Sequence, residues 1–236
     1  MEKVTSTPFR FLDLPFELRS CILTMVFQVD HVIDIDRSYS RMRPMIQTFT
    51  VSKQYHEEAS SAFFSNTFRI FPTNPLVLSN KFQPIISLFS PRHRAQMRKL
   101  ELRVGGFWTQ PPKCWRVVDS LGLEDAVSMH VLNVFVECDP SQDIFKGFRI
   151  AKDFYTDFVG DLLRDILYRL PALNEINFDR YPSVVRGGSL MIRLNEEARL
   201  RKVKITFAQH PERSSEPAWI ENYHSIPNLG MLSIQA

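Results

Sequence analysis

Leu14, Leu18, Ile22 and Val26 recur every four residues near the front of the chain, and Leu23 and Met25 widen the stripe. That spacing predicts an amphipathic helix over residues 15–27. Pro15 suits its first turn, where a missing N–H costs nothing. Val32, Ile33 and Ile35 sit among Asp34 and Asp36, a pattern that predicts a short strand or extended loop at residues 31–36. Val51, Tyr55, Glu58, Ala59, Ala62 and Phe63 return to helical spacing and predict a second helix that starts after Pro44. Asn66-Thr67 ends it, and residues 68–71 read as extended.

Pro72-Thr73-Asn74-Pro75 places two prolines within four residues and breaks any regular element. The expected organisation is therefore a unit at residues 9–71, a linker at 72–79 and a domain at 80–236. In that domain the pattern predicts helices at 81–89, 115–123, 152–170 and 190–200. Strands are expected at 99–104, 131–137, 175–178, 202–208 and 232–234. The helix at 152–170 is the clearest, with Phe154, Phe158, Leu162, Leu163, Ile166, Leu167 and Leu170 on one face. Alternating helix and strand implies βα units and a mostly parallel sheet, so the fold class is α/β, α+β once the helical N-terminal unit is counted. The step of roughly 30 to 40 residues is longer and less regular than the 20–29 of a leucine-rich repeat. A degenerate leucine-rich-repeat-like arc and a compact α/β layer both accommodate it.

Composition narrows the class. Hydrophobic residues make up 44% and charged residues 23%, which suits a chain that buries a core rather than a disordered one. Nineteen Phe supply many large apolar anchors, some available to a partner. A net charge of +3 is too weak to imply nucleic acid. Cys21, Cys114 and Cys138 form neither a CxxC pair nor an even disulfide framework, which points to a reducing compartment. Residues 1–8 lack the apolar run of a signal peptide, and no stretch of about 18 apolar residues exists to span a membrane. The expected location is cytoplasmic or nuclear.

The front of the chain also carries its one informative motif set. Phe11-Leu12-Asp13-Leu14-Pro15-Phe16-Glu17-Leu18-Arg19 runs into Cys21-Ile22-Leu23-Thr24-Met25-Val26-Phe27. Val51-Ser52-Lys53-Gln54-Tyr55-His56-Glu57-Glu58-Ala59 and Phe63-Phe64-Ser65-Asn66-Thr67-Phe68 follow. Together these segments resemble the F-box-like domains of filamentous fungi, including the subgroup with two E-x-R-type motifs. Glu17-Leu18-Arg19 matches the first motif. The second region matches in part, because no Arg stands at E-x-R spacing there, and Ser52-Lys53-Gln54-Tyr55 replaces the usual Cys and Trp. The resemblance implies docking on the Skp-family adaptor of an SCF-type ubiquitin ligase through Leu14, Pro15, Phe16, Leu18 and Ile22, with the second domain holding an unknown target protein. Leu18 and Ile22 facing an internal core is the alternative, since periodicity does not distinguish a core stripe from a groove-binding one. Arg19 is expected to pair with Glu58 or Glu57 and tie the two helices together.

No other constellation carries chemistry. The six His are scattered, and His56-Glu57-Glu58 lacks the second His of a zinc-binding HExxH. Gly105-Gly106 and Gly187-Gly188 belong to no phosphate-binding loop and read as tight turns. Asp153, Asp157, Asp161 and Asp165 read as a solvated helix face. No cofactor and no enzymatic activity are expected. Two basic clusters remain, one with Arg92, Arg94, Arg98 and Lys99 and one with Arg201, Lys202 and Lys204. They would merge into one anion-binding patch if their strands were adjacent; solvated faces are the simpler reading, and nucleic acid is not the expected partner.

Overall fold

The computed structural model describes residues 9–34, 42–73 and 84–208. Five strands form one sheet: β1 Thr67–Arg69, β2 Lys99–Val104, β3 Val131–Val136, β4 Glu175–Arg180 and β5 Lys204–Phe207. They lie side by side in chain order and every pair is parallel. Their register explains their composition. Phe68, Leu100, Leu132, Ile176 and Ile205 fall in one cross-strand row, and Leu102, Val134, Phe178 and Phe207 in another. A parallel sheet needs such rows, because helices or loops must cover its faces.

The helices are α1 Phe16–Phe27, a short α2 at residues 42–47, α3 Lys53–Phe64, the single turn α4 Pro91–Arg94, α5 Phe154–Arg169 and α6 Ser189–Leu200. In α5, Val159, Leu162, Leu163, Ile166 and Leu167 are buried; in α6, Leu190, Met191, Leu194 and Ala198 are. These stripes have the helical spacing of a core-facing surface, and α5 and α6 pack against each other.

The helical N-terminal residues and the sheet share one hydrophobic core, which runs from Leu23 and Phe27 through the strands to Ala198. Phenylalanine builds the junction. Phe27 meets Phe49 at 5.5 Å between ring centroids, Phe49 meets Phe63 at 5.9 Å, and Phe63 meets Phe68 at 5.5 Å. Phe68 lies on β1, so the aromatic chain ends inside the sheet. Polar ties reinforce it. Ile33 bridges Phe68 in parallel, and the buried Arg69 holds Asp34 at 2.6 Å and Glu101 at 2.9 Å. Residues on both sides of the expected 72–79 linker thus belong to one core, while residues 74–79 lie outside the described ones.

Several expected elements differ. The helix expected after Pro44 is two, separated by a 3-10 turn at Thr48–Thr50, because Ser52 is extended and caps α3 through its hydroxyl. The helix expected at 115–123 is irregular chain with 3-10 turns at Asp119–Leu121 and Leu123–Asp125. Gly122 between them adopts a left-handed φ of 67°, which ends any helix there. Trp115 is buried and donates its indole N–H to the Pro72 carbonyl at 3.1 Å. In place of a helix at 81–89 there is a 3-10 turn at Ile85–Leu88; residues 81–83, and the strand expected at 232–234, lie outside the described residues.

Candidate functional site

Helix α1 carries two apolar stripes. Arg19, Leu23 and Phe27, spaced by four, are buried against the core. The second stripe, toward solvent, carries Leu18, Ile22, Met25 and Val26, which are 52%, 39%, 80% and 56% exposed, with the exposed Cys21 among them. Phe16 at the helix start is 58% exposed, Pro15 is exposed and Leu14 is half-buried. A helix with two apolar stripes is normally covered on both. Here a contiguous stripe at i, i+3, i+4, i+7 and i+8 from Leu18 stands uncovered among the described residues, a geometry suited to a groove-shaped partner. Met25 and Cys21 belong to this surface as much as the residues expected from the motif; their i+7 and i+3 spacing from Leu18 is the signal that locates them.

The buried stripe is fixed by charge. Arg19 donates from Nε and Nη2 to the two carboxylate oxygens of Glu58 at 2.8 and 2.7 Å, and from Nη1 to the carbonyls of Leu12 and Leu14. The hydrogen bonds from Arg19 hold the Glu58 carboxyl below the ordinary range against the opposing effect of burial, with help from Gln54. The mutual pairing raises Arg19. The bidentate geometry sets the rotation of α1 about its axis and therefore which residues face outward. At the far end, Asn66 donates to the Phe27 and Phe63 carbonyls, both at 2.8 Å, and accepts from the Val29 N–H at 2.9 Å. One amide thereby caps α1 and α3 together.

The two basic clusters do not merge. Lys99 opens β2 and Lys204 opens β5, with Val131 and Glu175 between them in the same row. Three strand spacings separate the two lysines by roughly 14 Å, and Lys204 pairs with Glu175 at 3.0 Å. Arg94 leaves the patch altogether: it is buried and paired with Asp125 at 2.6 Å. Arg201 turns to the Leu170 carbonyl at 3.2 Å. Lys202 is an exposed turn residue with φ 59°, and Arg98 and Lys99 are exposed. Only Arg92 joins other basic groups in a concavity.

Groups at the C-terminal ends of the strands serve architecture. The Tyr155 hydroxyl accepts from the Gly105 N–H at 2.7 Å and donates to the Gly106 carbonyl at 3.1 Å, and burial drives its pKa far up. Burial, then Glu137 and Asp139, push the Cys138 thiol up to about 12. Asp139 accepts from the Ser141 N–H and hydroxyl and from the Leu190 N–H at the start of α6. Among the described residues no cluster of three His, Cys, Asp or Glu could hold a metal ion, and no helix is long and apolar enough to cross a membrane.

No family model, curated protein or solved structure matches this chain.

Proposed function

We propose that this chain is a non-enzymatic F-box-like adaptor that resembles the substrate receptors of SCF-type ubiquitin ligases. The outward face of α1 docks a Skp-family adaptor, and the α/β part presents a target protein. One observation carries the reading: Leu18, Ile22, Met25 and Val26 form a solvent-exposed apolar stripe on a helix whose other face is already in the core. Burying a fully exposed side chain of this kind contributes roughly 1.5–3 kcal/mol; covering the exposed part of all four contributes a share of that each toward the entropic cost of association. The in-order parallel strands support a repeat-like arc for the target-binding part, although they begin at residues 67, 99, 131, 175 and 204, steps that are uneven and mostly wider than those of a leucine-rich repeat. The loop after β3 adds the exposed Ile144, Phe148 and Ile150 as target-facing candidates.

A second reading has its own support. Leu23 and Phe27 place α1 inside the common core, so the helix would be needed even in an interaction scaffold with no ligase association.

Co-expression with a fungal Skp-family adaptor separates the two. The receptor reading expects a complex that survives size exclusion and is lost in Leu18→Asp/Ile22→Asp, with the variant still folded by circular dichroism because both positions are partly exposed. A well-folded wild type that forms no complex would move the assignment to the scaffold.

A further inference from the structure

Where α3 meets α4 the surface opens into a groove of about 550 Å³. Four basic side chains line it: Lys53 and His56 from the first turns of α3, and Arg92 and His93 from α4. The two imidazoles lie 5.6 Å apart between ring centroids, and His93 stacks on Phe64 at 5.0 Å with its ring tilted by 21°. The His56 Nδ1 is 3.3 Å from the Phe49 carbonyl, so that nitrogen acts as a donor there. The buried arginines of this protein are neutralised: Arg19, Arg69 and Arg94 each hold a carboxylate. Lys53 and Arg92 hold none among the described residues, and Glu57 is the one carboxylate lining the groove. The groove also lies over the N-terminal turn of α3, whose backbone dipole adds positive potential. Gln96, a further lining residue, has a buried side-chain carbonyl without a hydrogen-bond partner.

Like charges brought to one concavity favour an anion that enters it. Burial, then His56 and then Arg92, hold the His93 pKa below the ordinary histidine range. A planar carboxylate would engage one or two of these donors. A tetrahedral oxyanion has acceptors in several directions and suits donors arriving from two helices.

We propose that this groove binds a phosphoryl group, either as free phosphate or on a phosphorylated serine side chain. The site is independent of adaptor docking, since no residue of α1 lines it. The groups facing His93 are Lys53, His56 and Glu57 from α3 and Arg92 from its own turn, and a bound dianion would offset the net positive charge among them. Binding therefore raises the His93 pKa, and by linkage affinity falls as pH rises through that value.

The experiment follows the His Cε1–Hε1 signals of the full chain by NMR at constant ionic strength in chloride. The probes are inorganic phosphate, a phosphoserine peptide and the same peptide unphosphorylated. The expected result is saturable shifts at His56 and His93 with phosphate or phosphopeptide, none with the unphosphorylated peptide, and an upward-moved His93 titration. Phosphopeptide binding about tenfold tighter than phosphate assigns the ligand to a phosphorylated segment; equal affinities assign it to free phosphate. Arg92→Ala or Lys53→Ala, both at exposed positions, should each weaken binding roughly tenfold with unchanged circular dichroism. No saturation by about 20 mM of either phosphorylated probe, a range already weaker than ordinary charge-assisted recognition, overturns the proposal. So does an undiminished response in Arg92→Glu.

Discussion

Arg19 and Glu58, thirty-nine positions apart, close a two-point hydrogen bond that joins α1 to α3. The pair makes an arginine part of the buried face of α1. Removing one partner leaves the other withdrawn from water without compensation, so Arg19→Ala should lower the melting temperature by several degrees. A shift near zero would show that the pair is decorative. The pH dependence has a definite sign. Glu58 titrates lower in the folded chain than in the unfolded one, so its contribution is complete above the ordinary glutamate range, about 4.3, and is lost as pH falls through the folded value. The stability gap between wild type and Glu58→Gln should be widest near neutrality and close on acidification. A gap constant with pH, measured by urea melts, would rule out the carboxylate as its source.

Asn66 satisfies three backbone groups with one amide. Asn66→Ala orphans the Phe27 carbonyl and the Val29 N–H, while the Phe63 carbonyl keeps the residue-66 backbone N–H, and should cost about 2–3 kcal/mol, or roughly 5–10 °C in melting temperature. Asn66→Asp is the sharper probe. It keeps an acceptor for Val29 but turns carboxylate oxygens toward the Phe27 and Phe63 carbonyls, so at neutral pH it should be at least as damaging as Ala. A benign Asp variant would argue against the double cap.

Tyr155 pins the glycine turn after β2. Gly105 has φ 106°, and a Cβ placed there would lie 2.4 Å from the Cys138 backbone nitrogen, so only glycine fits. The chain closes over it because the Tyr155 hydroxyl accepts from its N–H. Tyr155→Phe leaves that buried N–H without its acceptor and should cost about 1–3 kcal/mol. Hydrogen exchange at the Gly105 amide should accelerate by more than the global loss of stability alone predicts; an equal change would mean that the hydroxyl is not what protects it.

Much of this architecture is legible in the sequence, and the exceptions share a cause. The strands at Lys99–Val104 and Val131–Val136 and the helices at Phe154–Arg169 and Ser189–Leu200 show in their periodicity, because each packs by a simple alternation or stripe. Arg94 reads as a solvent-facing cation because its partner, Asp125, is thirty-one residues away. Residues 115–123 read as a helix, but Gly122 and the Trp115 bond to Pro72 make that segment irregular. Helix α1 is the instructive case. Two sets of residues at the same i, i+4 spacing compete for the core, and the set containing an arginine occupies it. Local pattern favours the purely apolar set. The choice is made by Glu58 and by the phenylalanines that receive Phe27. The same long-range dependence hides the groove between α3 and α4: Lys53 and His56 meet Arg92 and His93 only through tertiary packing.

Cys21 turns the outward face of α1 into something that can be read chemically. It lies among Leu18, Ile22 and Met25 and is exposed, whereas Cys138 is buried and Cys114 partly so. The thiolate is the reactive form, and burial raises the pKa of both Cys114 and Cys138. A limiting dose of N-ethylmaleimide should therefore modify Cys21 first, at least tenfold faster than Cys138, a ratio that about 1.4 kcal/mol of differential exposure and ionisation suffices to give. Peptide mapping by mass spectrometry checks the order. If Cys138 reacts as fast, the packing of α1 and of the β3 end is not as described. With an adaptor bound, Cys21 should be protected, and alkylating it beforehand with a bulky maleimide should block assembly while leaving the melting temperature in place. A complex in which Cys21 labels at the free rate would put the adaptor elsewhere on the protein and release this face from the role proposed for it.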